Sequence, residues 1–122
     1  MWEYYNPNPK GARVGDCAVR AMCKALDSNW EEEFIHICLE GLLISDMPSS
    51  NAVWGSYLKA NGFTKGITEP LTSLKKFCKE HPKGTYVVAL NNHVVTVVDG
   101  NFFDTWDSGD EIILYYWQKG EN

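Results

Sequence analysis

The spacing of apolar residues changes half-way along the chain, from the three-to-four-residue period of helices to the two-residue period of strands. The first clear helical pattern predicts a helix from about Cys17 to Leu26, with Asp16 as its N-cap. Its buried stripe consists of Val19, Met22, Cys23 and Leu26.

Three further helices are predicted before the strands begin. Ser28 and Glu31 have the spacing of a capping box, which predicts the start of the second helix. Either Ser49 or Ser50 is predicted to cap the third helix, because a proline directly before them ends the second. The fourth helix is predicted from Pro70 to about His81.

The second half of the chain predicts an antiparallel sheet. Four strands are expected, over Thr85–Leu90, His93–Val98, Asn101–Trp106 and Glu111–Trp117. The dipeptide Asp99-Gly100 between two of them is a strong signal for a two-residue hairpin. The order predicts an α+β fold in a single domain over residues 1–122, with N-terminal helices packed on a C-terminal antiparallel β-sheet. Residues 1–15 are predicted to form a loop or extended arm.

The acidic composition of the chain limits the classes of partner that are expected. The 122 residues include 11 Lys and Arg against 16 Asp and Glu, a net charge of −5. Nucleic acid and anionic membranes are therefore not expected as partners, because both need a basic surface. No signal peptide precedes the four cysteines, and their spacing matches no zinc motif, so a reduced, cytoplasmic protein without a metal or other cofactor is expected.

Cys17 differs from the other three cysteines in its predicted position. It falls in the first turn of a helix, where unpaired backbone N–H groups and the helix dipole favour a thiolate, and Arg20 adds positive charge nearby. Cys17 is therefore a candidate nucleophile. The others lie on apolar helical stripes and are expected in the core: Cys23, Cys38 and Cys78.

A base for this thiol is predicted from the hairpin register. If Asp99-Gly100 is a two-residue turn, Val95 pairs with Asp104, and His93 and Asp104 become diagonal neighbours on one face of the sheet. The carboxylate of Asp104 would then orient the imidazole of His93. A one-residue slip would turn Asp107 to that face instead.

These motifs resemble those of the papain-like cysteine peptidase superfamily. They are Gly15-Asp16-Cys17-Ala18, His93-Val94-Val95 and Asp104-Thr105-Trp106. The last is similar to the Asn-Ser-Trp of papain, and the Asp before the cysteine and the Asp in place of Asn resemble small bacterial or phage members related to bacteriocin-processing peptidases. The resemblance implies a papain-like core, a Cys17–His93–Asp104 triad shielded by Trp106, and a peptide or protein substrate.

The chain departs from that family at the oxyanion hole. The family usually has a Gln before the cysteine as an oxyanion donor, and none is present here. Asn8 or Asn6 is the expected replacement, or the backbone N–H of Cys17 acts alone.

The sequence is compatible with three functions. The first is a small intracellular hydrolase, a peptidase or amidase, that works through an acyl-thioester. The second is a binding module that has kept the fold and acts through an aromatic groove, with a homodimer as a further use of the aromatic residues. The third is a transglutaminase-like acyltransferase, which uses the same order of Cys, His and Asp.

Overall fold

Over residues 1–120, a mixed six-stranded sheet has three helices packed on one face and a fourth, short helix on the other. The computed structural model describes residues 1–120. In chain order the elements are β1 Trp2–Tyr4, α1 Cys17–Ala25, α2 Trp30–Ile44, α3 Asn51–Ala60, β2 Phe63–Gly66, α4 Leu74–Glu80, β3 Thr85–Leu90, β4 His93–Val98, β5 Asn101–Asp104 and β6 Tyr115–Lys119. The predicted α+β class, with helices packed on a sheet, is confirmed. Within residues 1–120, no helix is long and apolar enough to cross a membrane.

The sheet is broader than the C-terminal antiparallel sheet that was predicted. Its strand order is β1-β5-β4-β3-β6-β2, and β1 pairs with β5 in parallel while the other pairs are antiparallel. The expectation that all of residues 1–15 form a loop or arm is therefore wrong for β1. That strand is only three residues long, and it exists because the main chain of β5 offers it hydrogen bonds, such as Phe102 N to Met1 O at 2.9 Å.

Alternation along β3 divides the core into two parts. Val87 and Ala89 face α1, α2 and α3, whereas Val88 and Leu90 face α4. Tyr115 and Tyr116 of β6 likewise point to opposite faces, as a two-residue period requires. The α1 helix lies across β4, where the Thr96 hydroxyl donates a 2.7 Å hydrogen bond to the carbonyl of Ala21.

Most helix starts agree with the sequence patterns. The α1 helix begins at Cys17 as predicted, and Ser50 caps α3 by accepting a hydrogen bond from the backbone N–H of Ala52. The predicted capping box at the start of α2 is wrong, because Asn29 is the N-cap and accepts from Glu32 N. The fourth helix is shorter than predicted, since its N-cap is Ser73.

The α2 helix departs from the usual pattern of a buried apolar face and an exposed polar one. Ile37 is buried, but Leu42 and Leu43 are more than three-quarters exposed. Glu33, in the first turn of α2, is buried, and its carboxylate accepts a 2.7 Å hydrogen bond from the Tyr57 hydroxyl.

The predicted two-residue hairpin joins β4 to β5. Asp99 and Gly100 both have positive φ, at 49° and 81°, as a type I′ turn requires. Val98 pairs with Asn101, so the predicted register is confirmed. This register brings the start of β4 close to the end of β5.

Gly100→Ala is expected to lower the free energy of unfolding by about 1–2 kcal/mol, because an L-residue is strained at this φ. The added Cβ would also lie 3.2 Å from the carbonyl oxygen of Cys78. Urea denaturation would measure the change. Gly15→Ala is the control, since its φ lies outside the left-handed region and its Cβ would meet open space. Equal losses in both variants would contradict the assignment of strain to the turn.

Candidate active site

Cys17 is the first residue of α1, at the end of the helix where backbone N–H groups lack partners within the helix. Asp16 is the N-cap residue of α1, as predicted, but its side chain makes no capping hydrogen bond. Its carboxylate instead binds Arg20 and Trp30. The first-turn N–H groups therefore remain available beside the half-buried thiol.

His93 opens β4 next to this helix end. Its Nε2 lies 2.7 Å from Oδ2 of Asp104, and because an ionised carboxylate only accepts, Nε2 is the donor. The His93 side chain also interacts with the thiol of Cys17, and Nδ1 is the ring nitrogen left for that contact. Trp106 lies against the imidazole with ring centroids 5.3 Å apart, in the place proposed for a shielding residue, although it is 43% exposed.

Both carboxylate oxygens of Asp104 are occupied. Oδ1 accepts from Arg20 Nη2 at 3.1 Å and from the backbone N–H of Thr105 at 2.8 Å. Oδ2 accepts from His93 and, at 2.7 Å, from the Ser108 hydroxyl. With no exposed side-chain surface, Asp104 needs these donors to stay ionised.

Three neighbouring groups favour the ionised form of the Cys17 thiol. Burial raises the pKa of Cys17, but the interaction with the His93 side chain, the backbone N–H of Val94 and the charge of Arg20 outweigh it, and the pKa lies below the ordinary thiol value. A thiolate is the nucleophilic form of cysteine. The environment thus prepares Cys17 for attack on an electrophile.

The pKa values of His93 and Asp104 are shifted in the directions that favour an ion pair between them. Burial lowers the pKa of His93, yet the hydrogen bond to Asp104 and the interaction with Cys17 raise it overall to about 9. Burial raises the pKa of Asp104, but hydrogen bonds from His93 and Ser108 bring it below its ordinary value. The three pKa shifts therefore all favour the charged forms: thiolate, imidazolium and carboxylate.

A groove with a volume of about 520 Å³ opens over the thiol and the imidazole. Aromatic side chains of α2 and α3 form much of its wall: Trp30, Phe34 and Trp54. Cys38 also lines the groove, so the expectation that it belongs to the core is wrong, whereas Cys23 and Cys78 are buried as predicted. An extended substrate lying in this groove would pass over Cys17.

Asn8 and Asn6 do not line the groove, which corrects the expectation that one of them supplies an oxyanion donor. They build the preceding loop instead. The Asn8 carbonyl oxygen Oδ1 accepts from the backbone N–H groups of Lys10 and Ala12, and the Asn6 amide donates to two carbonyls of the same loop. Of the predicted donors, the N–H of Cys17 is the one at the groove.

Several residues at the site were not selected from the sequence. Ser108 and Asn92 follow no recognisable motif, and only the fold brings them to Asp104 and to the groove. The buried Arg20–Asp16 pair, with Nη1 to Oδ1 at 2.8 Å, does leave a signal, because the two residues have the i,i+4 spacing of a helical ion pair.

No protein-family model, curated protein or solved structure matches the chain. The resemblance to papain-like peptidases therefore stays a prediction from the sequence. Among residues 1–120, no three His, Cys, Asp or Glu side chains are grouped so that they could hold a metal ion.

Iodoacetamide at pH 7 is expected to alkylate Cys17 before the two core cysteines, because its pKa is lowered while burial raises those of Cys23 and Cys78 to about 12 and 11. Mass spectrometry of tryptic peptides over time would measure the four rates. In His93→Gln, the midpoint of the pH dependence of Cys17 labelling should move to higher pH. Labelling of Cys17 that is no faster than that of Cys23, or unchanged by the substitution, would contradict the coupling.

Proposed function

We propose that this protein is a cysteine hydrolase, a peptidase or amidase, that acts through an acyl-thioester on Cys17. The observation that carries the proposal is the arrangement at the groove: a thiol at a helix N-terminus, faced by an imidazole whose far nitrogen is 2.7 Å from a buried carboxylate. A nucleophile, a base and a group that orients the base are the three parts that such chemistry needs.

In the first half-reaction, the Cys17 thiolate attacks the carbonyl carbon of the scissile bond. The electron pair of the C=O bond moves to oxygen, and the backbone N–H of Cys17 donates to this oxyanion. When the tetrahedral intermediate collapses, Nδ1 of His93 gives its proton to the leaving amine. An acyl-thioester and a neutral imidazole remain.

In the second half-reaction, Nδ1 of His93 takes a proton from water as the water attacks the thioester carbonyl. Collapse of the second intermediate releases the carboxylic acid and restores the thiolate and the imidazolium. Throughout, Oδ2 of Asp104 holds the Nε2–H, so that Nδ1 stays directed at the reacting atoms.

The free thiols suit a reducing compartment, and we include a cytoplasmic location in the proposal. All four cysteines are unpaired. A reducing environment keeps Cys17 from being consumed by oxidation.

The test is acylation and turnover in matched variants. With a p-nitrophenyl ester, intact mass should show one added acyl group on the wild type and none on Cys17→Ala, whereas Cys78→Ala, a cysteine on the opposite face of the sheet, should still be acylated. With a panel of fluorogenic peptide amides, His93→Gln should lower kcat by about 10²–10⁴-fold, the usual contribution of a general acid–base group. Acylation of Cys17→Ala equal to that of the wild type would overturn the proposal.

The pH profile of turnover has an expected shape. The value of kcat/KM should fall as pH rises through about 9, because His93 then loses the proton that the leaving amine needs. The measurement is hydrolysis of a peptide amide between pH 5 and 10. An activity that keeps rising above pH 9.5 would argue against His93 as the general acid.

The alternatives give different results in the same assays. An acyltransferase would pass the acyl group to an added amine such as glycine methyl ester in preference to water. A binding module would retain peptides in the groove with equal affinity in wild type and Cys17→Ser, with no turnover in either. The aromatic wall of Trp30, Phe34 and Trp54 supports peptide binding in all three candidate functions.

A further inference from the structure

Arg20 is a buried arginine with a carboxylate on each side. Its guanidinium donates through Nη1 to Oδ1 of Asp16 at 2.8 Å and through Nη2 to Oδ1 of Asp104 at 3.1 Å, and the residue is only 5% exposed. Because Arg20 lies one helical turn after Cys17, the same helix carries the thiol and a cation that touches the carboxylate of the proposed triad.

The contact with Arg20 restricts how the Asp104 carboxylate can turn. One oxygen is held by the guanidinium and the Thr105 N–H, and this leaves the other oxygen directed at His93 and Ser108. A rotation about the Cβ–Cγ bond would break the contacts at both oxygens together. The orientation of the imidazole therefore depends on a residue that does not touch it.

The guanidinium of Arg20 is also held on its Nη1 side, by Asp16. Asp16 is 6% exposed, and its second oxygen accepts a 2.9 Å hydrogen bond from Nε1 of Trp30, a residue of the groove wall. A planar guanidinium with two nitrogens in use can bridge both carboxylates, whereas a lysine ammonium presents a single nitrogen. A bridge from two nitrogens held in one plane is therefore available to arginine and not to lysine.

We propose that Arg20 is a positioning residue, which holds the Asp104 carboxylate so that Oδ2 faces His93, and that Asp16 holds Arg20 in place. The role in the reaction rests on the proposed function above. The contacts that link Arg20 to His93 through Asp104 can be tested whether or not the protein turns over a substrate.

Arg20→Lys is the decisive variant because it keeps the charge and removes the bridge. The charged groups that face His93 are Cys17 of α1 and Asp104 of β5, and Arg20 faces Asp104, so the substitution leaves the number of charges unchanged. The proton affinity of His93 should fall about tenfold, the size of one lost hydrogen bond to a charged group. NMR titration of the histidine ring in ¹⁵N-labelled protein would measure it.

The effect of Arg20→Lys on turnover should match its effect on the titration of His93. In Arg20→Lys, the basic limb of the kcat/KM profile should move to lower pH together with the NMR midpoint, and kcat should fall by about tenfold with KM little changed, because the groove wall is intact. Arg13→Lys is the matched control: Arg13 is an exposed arginine whose Nη2 donates to the carbonyl of Thr105 at 2.8 Å and does not touch Asp104. It should leave both measurements at the wild-type values.

A second variant covers the case in which Arg20→Lys does not fold. Arg20→Gln combined with Asp16→Asn removes one positive and one negative charge, so no unpaired charge stays buried. Near-UV circular dichroism would establish folding, and the proton affinity of His93 should again fall. A folded variant of either kind in which His93 titrates as in the wild type would overturn the proposal.

The two proposals fail in different ways. If the wild type shows neither acylation nor turnover but Arg20→Lys still changes the titration of His93, the proposed function is wrong and Arg20 still positions Asp104. If the wild type is active and the variant changes neither the titration nor kcat, the role of Arg20 is wrong and the proposed function stands.

Discussion

Burying a carboxylate without exposed surface costs roughly several kcal/mol unless hydrogen-bond donors surround it, and Asp104 meets that requirement with donors from several parts of the chain. Its side chain accepts from α1 through Arg20, from β4 through His93 and from the following loop through Ser108. Its main-chain carbonyl accepts from the indole of Trp2 and the N–H of Tyr5. One residue thereby ties the N-terminal strand, the first helix and the hairpin together.

The position of the groove follows from how the layers pack. The α1 helix crosses β4 and is anchored there by the hydrogen bond from Thr96 to Ala21, so the N-terminus of the helix lies beside the first residue of the strand. The thiol of Cys17 and the ring of His93 meet at that point. Part of α2 covers the groove instead of the core, which accounts for the partial exposure of an aromatic residue such as Phe34.

Local signals were sufficient for much of this architecture. Helix α1, the Ser50 cap and the Asp99-Gly100 turn are each decided by neighbours within a few residues, and the turn in turn sets the register that puts Asp104 beside His93. At the start of α1, the N-cap position is as predicted but the contacts of its side chain are not. Asp16 has the sequence of a capping residue, but the buried guanidinium and indole are stronger partners for its carboxylate than the helix N–H groups.

The sequence by itself determined the helix that starts at Cys17, the hairpin and its register, because these depend on periodicity and on turn residues that tolerate positive φ. Only the tertiary structure decided which side chains surround Asp104 and that Cys38 faces the groove. Those outcomes depend on contacts between residues up to about a hundred positions apart, such as Trp2 with Asp104, and no local pattern encodes them.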